Sequence, residues 1–204
     1  KGFGDNANFY LNSKRVVLRS AISWGYWSKG GIYSTKEQTI AQVNAAKSLG
    51  LNCLNFHRNI GGPLMLETAD EMGLLYFEEP GAYHSGVDDF NRGILVEKTA
   101  RMIKRDRSHP SLVIYNLINE FFGDLLHNQP LINKRLNDMR EFHKIDETRF
   151  LLLCSGNTPG VSNQTGEELH KTHMRPYDET LYQVGWQDVH QAGAPETWKE
   201  GMYR

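Results

Sequence analysis

Arg105-Asp106-Arg107-Ser108-His109-Pro110-Ser111-Leu112-Val113-Ile114-Tyr115-Asn116-Leu117-Ile118-Asn119-Glu120 is the stretch that decides the fold of this chain. A charged helical run ends in it at Ser108-His109-Pro110, because proline removes a backbone donor and restricts the residue before it. The apolar run Leu112 to Leu117 then reads as a buried strand that stops on Asn119-Glu120. A carboxylate at the end of such a strand is costly to desolvate unless it is paired or used. In a βα barrel the C-terminal strand ends are where catalytic groups gather. An Asn-Glu that simply caps the next helix is the plainer alternative.

The same grammar recurs on both sides. Upstream, Val16–Ile22, Leu51–His57 and Leu74–Glu79 are apolar runs, the last two ending on polar groups. Downstream, Phe150–Cys154 is another. Helical segments alternate with them. Ser34-Thr35-Lys36-Glu37 reads as a capping box, Ile40, Val43, Ala46, Lys47 and Leu49 follow at helical spacing, and Gly50 stops the helix. Pro63 begins the next, with Leu64, Leu66, Ala69 and Met72 as its apolar positions, and Gly73 ends it. Phe90–Arg107 should turn Ile94, Leu95, Met102 and Ile103 inward, with Arg92, Lys98, Arg101, Lys104 and Arg105 as a solvated face. Leu131–Lys144 is a further amphipathic helix. Before all of these, Phe9 to Arg15 reads as a hairpin around a polar turn.

Strands alternating with helices at this pitch imply a parallel α/β architecture. Five or six such units, with chemical candidates at successive strand ends, point to a (β/α)8 TIM barrel, incomplete in this chain, rather than a doubly wound sheet. Lys171–Asp178 is the candidate sixth strand. No glycine-rich nucleotide loop is present.

Bulk properties exclude other classes. The 204 residues carry a net charge of −1, with basic and acidic residues interspersed, so no electrostatic case exists for nucleic acid or an acidic membrane surface. No apolar run approaches a transmembrane span. Cys53 and Cys154 sit in apolar runs without metal-ligand spacing and read as buried thiols. The chain begins Lys1-Gly2-Phe3 without a methionine, so it is expected to be a piece of a longer protein.

The ordered pattern Arg-Asp-x-x-His-Pro-Ser, apolar strand, Asn-Glu resembles the acid/base strand of glycoside hydrolase family 2, the β-galactosidase, β-glucuronidase and β-mannosidase family. Other stretches resemble the family too. Leu11-Asn12-Ser13-Lys14 and Leu18-Arg19-Ser20 stand for Leu-Asn-Gly-Lys and Leu-Arg-Gly. Gly73-Leu74 to Glu78-Glu79 stands for Gly-Leu-x-x-x-Asp-Glu, and Asp146-Glu147-Thr148-Arg149 for Asp-x-Thr-Arg-Pro. Asn52 to Arg58 stands for Asn-x-Val-Arg-x-x-His, with Asn55 at the arginine and an ambiguity of one residue between His57 and Arg58.

The resemblance implies cleavage of β-glycosides with retention of configuration. Glu120 would be the general acid/base and Asn119 the donor to the sugar hydroxyl beside the scissile bond. It favours Glu79 over Glu78 as the pocket-wall residue and raises His57 as a pocket residue. Trp24 stands where relatives have His or Asp, and reads either as a stacking platform or as core. His173 and Tyr177 fall near an Asp-x-His-x-Tyr pattern, and Phe121-Phe122 could wall a subsite. His84 is kept from a magnesium pair, but Ala82 replaces its glutamate, so no metal is expected, nor any cofactor.

The family's nucleophile is a glutamate on the seventh strand. Glu179, Glu196 and Glu200 do not end apolar strands, so it is expected beyond this chain. Residues 1–15 would be a leading hairpin from a preceding domain, and 16–204 the barrel over about six strands. A carbohydrate substrate and flanking β-sandwich domains on the same polypeptide are the implied partners. The alternatives are a non-catalytic carbohydrate-binding homologue and another barrel hydrolase of the β-mannanase kind.

Overall fold

Five parallel strands in sequence order form the main sheet: β4 Ser20–Ser23, β5 Cys53–Phe56, β6 Leu75–Glu78, β7 Leu112–Asn119 and β8 Phe150–Ser155. They are seen in a computed structural model that describes residues 2–3, 9–27, 30–81, 89–119 and 129–155. Four helices connect them: α1 Lys36–Ser48, α2 Pro63–Met72, α3 Asp89–Asp106 and α4 Gln129–Ile145. The protein is therefore α/β, as expected, with all C-terminal strand ends at one edge of the sheet. The candidate sixth strand, 171–178, lies outside the described residues.

A second, antiparallel sheet precedes this one, made of β1 Gly2–Phe3, β2 Phe9–Leu11 and β3 Lys14–Arg15. Asn12 and Ser13 form its two-residue turn, with φ of 52° and 63°. Positive φ at both central positions matches the twist of a hairpin but suits asparagine or glycine better than serine. Phe9 packs into the same apolar cluster as the main sheet.

β7 is the spine of the core. All eight of its residues are buried, as a parallel strand covered on both faces requires. Around it pack Phe56, Leu66, Tyr76, Met102, Ile103 and Phe142. Phe56 and Tyr76 stack at 4.4 Å between centroids. At the N-terminal end of the sheet Arg149 is buried and fully engaged. It donates to Asp146 at 2.6 Å, to the Leu112 carbonyl at 2.8 Å and to the His109 carbonyl at 2.6 Å. Tyr115 adds a hydroxyl to Asp146 at 2.9 Å.

Several local expectations need correction. Thr35, not Ser34, caps α1, and its partner is Gln38 rather than Glu37. Thr39, Val43 and Ala46 form the buried stripe of that helix, while Ile40 and Leu49 are exposed. Ile94 of α3 is likewise exposed, whereas Leu95, Met102 and Ile103 are buried. β4 begins at Ser20 rather than Val16. Before it, the Asn52 side chain takes the place of a strand partner, accepting from the Arg19 amide and donating to the Val17 carbonyl. Arg105 is 42% exposed, as a solvated face requires, but its guanidinium is not left to solvent. It is bidentate to Asp106 and reaches the Gly61 carbonyl.

Candidate active site

Parallel pairing brings the residues just past three strand ends together. Ser23, Phe56 and Glu78 share a row across β4, β5 and β6, so Trp24, His57 and Glu79 follow one step beyond it. Their side chains meet. The Trp24 and His57 rings stand edge to face, 4.6 Å between centroids at 88°. The Arg58 guanidinium lies over the Trp24 ring, 5.5 Å from its centroid, within the range of a cation–π contact. Trp24 is 51% exposed, which removes the core reading and leaves an open aromatic surface beside polar groups.

Glu79 is fully buried and organises the floor. Its Oε1 accepts from Asn55 Nδ2 at 3.2 Å and lies 3.8 Å from His57 Nδ1. Its Oε2 accepts the Arg58 backbone N–H at 2.7 Å. Arg58 has φ of 56°, a left-handed conformation that costs a non-glycine residue energy. Asn55 Oδ1 and His57 Nδ1 are both buried, with no hydrogen-bond partner among the described residues.

Glu78 faces the other way, toward α3. Its Oε1 accepts the Gly61 N–H at 2.7 Å, with Arg105 Nη2 3.5 Å away. Burial, followed by the charge of Asp106, pushes its carboxyl well above the ordinary range, against the pull of Arg105 and the Gly61 amide. The two consecutive glutamates thus have separate surroundings, as strand alternation requires.

Asn119 closes β7 at the same sheet edge, fully buried and in register with Ser155. Glu120, His173, Tyr177, His84 and the Phe121-Phe122 pair lie outside the described residues. Of the candidates, Trp24, His57 and Glu79 are brought into one cluster. Asn55 and Arg58 join them, and neither stood among the expected site residues. Asn55 carried a signal, a polar residue alternating into an apolar strand. Arg58 owes its place to a backbone conformation that no residue pattern announces. Among the described residues no three His, Cys, Asp or Glu side chains group as metal ligands.

No family model matches the chain. A β-galactosidase from Thermoanaerobacter pseudethanolicus is 31% identical over 150 residues, 72% of this chain and 19% of that protein. Among solved structures, the β-D-glucuronidase of Dictyoglomus thermophilum shares the fold with a TM-score of 0.68 at 20% identity, over 78% of this chain and 28% of that one. A glycosyl hydrolase family 2 member from Bacteroides cellulosilyticus superposes with a TM-score of 0.66 at 19% identity, over 79% of this chain and 22% of that one. The chain spans 14% to 19% of the length of the first curated relatives it matches. The solved structures share the fold of this chain, and its sequence likeness to the galactosidase makes it a fragment of the glycoside hydrolase family 2 type, over the part that it spans.

Proposed function

We propose that this chain carries the acid/base portion of a retaining β-glycoside hydrolase built on a (β/α)8 barrel. Glu120 protonates the departing glycosidic oxygen and then deprotonates the water that releases the glycosyl-enzyme. Asn119 donates to the adjacent sugar hydroxyl. Trp24 offers the sugar an aromatic face, while Asn55, His57 and Glu79 supply hydrogen bonds beneath it. His173 and Tyr177 belong to the same pocket, and the nucleophilic glutamate comes from a later strand. The residues up to 15 lead in from a preceding domain.

The observation that carries this reading is the cluster of Trp24, His57 and Glu79 just past three successive parallel strand ends, with the Trp24 ring half exposed beside the buried polar groups. That is where barrel enzymes perform their chemistry. Galactosides and glucuronides are the first substrates to assay, because similar proteins carry those names.

The test is Glu120→Ala in the intact protein, against two aryl β-glycosides of the same sugar. With a phenol leaving group of high pKa, glycosylation should slow by about 10²–10⁴-fold, the usual contribution of general acid catalysis. A dinitrophenyl leaving group needs no proton, so its glycosylation step should slow far less. Equal losses on both, or no loss on either, would remove Glu120 from the role. Tight sugar binding without turnover by the wild type would favour the non-catalytic homologue instead.

A further inference from the structure

Residues 57–62 join β5 to α2 and present His57 and Arg58 to the cluster beside Trp24. Both ends of this short loop are held by consecutive residues of the neighbouring strand. The Arg58 amide donates to Glu79 Oε2 at 2.7 Å and the Gly61 amide to Glu78 Oε1 at 2.7 Å. Because alternation sends the two side chains to opposite faces of β6, the loop is gripped from both sides. Arg105 adds a third hold through the Gly61 carbonyl, and is itself fixed by two 2.7 Å bonds to Asp106. Gly61 also has no slack, since a Cβ there would overlap the Phe56 ring. Between the held ends, Asn59 spans to the Trp24 carbonyl at 3.4 Å.

We propose that Glu78 is a positioning residue for the sugar pocket, setting the place of His57 and Arg58 by anchoring Gly61 from behind the sheet. A fully buried carboxyl in a strand is hard to explain by packing alone, because an apolar side chain would fill the space without the cost of desolvation. Its use is the Gly61 N–H. Burial and the charge of Asp106 favour the protonated carboxyl, and a proton on the otherwise unpartnered Oε2 would give that atom something to donate toward Asp106. A glutamine could do both tasks, accepting from Gly61 and donating to Asp106. An alanine could do neither.

The loop anchoring stands on the contacts alone, while its bearing on sugar rests on the function proposed above, so the experiment reads the two separately. Amide hydrogen exchange at Gly61 and Arg58 is compared in the intact wild type, Glu78→Ala and Glu78→Gln. Exchange at both amides should quicken about tenfold or more in Glu78→Ala, as local opening becomes easier. Glu78→Gln should restore the protection. An unchanged Arg58 amide in Glu78→Ala would confine Glu78 to a local bond at Gly61 and overturn the proposal, as would equal behaviour of alanine and glutamine. Should Glu78→Ala fail to fold, Glu78→Met, which fills the space without offering an acceptor, should also quicken exchange at both amides, and protection kept at both would overturn the proposal. With an aryl β-glycoside, Glu78→Ala should raise KM about tenfold with a smaller change in kcat, the pattern of lost substrate binding. If the wild type turns over no β-glycoside, the functional reading fails while the exchange result still decides the anchor.

Discussion

The Arg58 backbone N–H donates to Glu79 Oε2 at 2.7 Å at the very residue that takes a left-handed conformation. The carboxylate therefore acts on the site through its neighbour's main chain as well as through Asn55 and His57. Glu79→Ala should cost about 2 kcal/mol or more, because buried donors on Asn55 and Arg58 lose their acceptor. Arg58→Gly should recover part of that loss, since glycine needs no restraint to stay at positive φ. Denaturation of the four proteins of this double-mutant cycle should give a coupling of about 1 kcal/mol. Strict additivity would mean that the bond does not carry the strain.

Glu78 makes the protein's stability depend on pH in an unusual direction. Its folded carboxyl lies well above the ordinary 4.5, so the native state holds a proton that the unfolded chain releases. Its contribution is then flat below pH 4.5 and falls as pH rises from there toward the folded value. Glu78→Gln has no such proton. The unfolding free energy of that variant should gain on the wild type as pH is raised, and a constant difference across pH would count against the assignment.

Asp146 behaves in the opposite sense. Burial alone would raise its carboxyl, but hydrogen bonds from Thr148 and Arg149 outweigh it and leave the group below its usual value of 3.8. That stability is present at neutral pH and is lost as pH falls below 3.8. Asp146→Ala strands the buried Arg149 guanidinium and should cost about 3–5 kcal/mol by urea denaturation. The acid-induced loss should shrink with it.

Ser13 sits at φ of 63° in the hairpin turn. Ser13→Gly removes a side chain from a conformation that costs other residues about 1–2 kcal/mol, offset in part by glycine's greater freedom when unfolded. A gain of about 1 kcal/mol is expected in chemical denaturation. A loss would show that the serine hydroxyl is needed there.

Much of this architecture could be read from residue types. Pro63 and Gly73 bracket α2 because each is suited to one end of a helix, and Gly73 takes the left-handed cap that this implies. The run Leu112–Asn119 is apolar enough that only burial on both faces accommodates it. The errors fall where two readings are chemically equivalent. Ser34 and Thr35 both offer a hydroxyl, and Glu37 and Gln38 both offer the answering side chain, so the cap register is fixed only by the fold. Val16 to Leu18 looks like strand, yet the Val16 amide turns back to the Phe9 carbonyl and the Val17 carbonyl accepts from the Asn52 side chain. The site divides the same way. Polar residues after apolar strands marked His57 and Glu79, while the roles of Arg58 and Glu78 depend on a loop conformation and on a helix distant in sequence.

Among the described residues, β4 has a hydrogen-bonded neighbour on one side only, and Ile22 on it and Val17 just before it are more than half exposed. Such an edge is a template for any extended segment that reaches it. In a concentrated solution of the bare 204-residue span, other copies are the segments at hand, so this edge makes self-association the expected hazard of handling it alone.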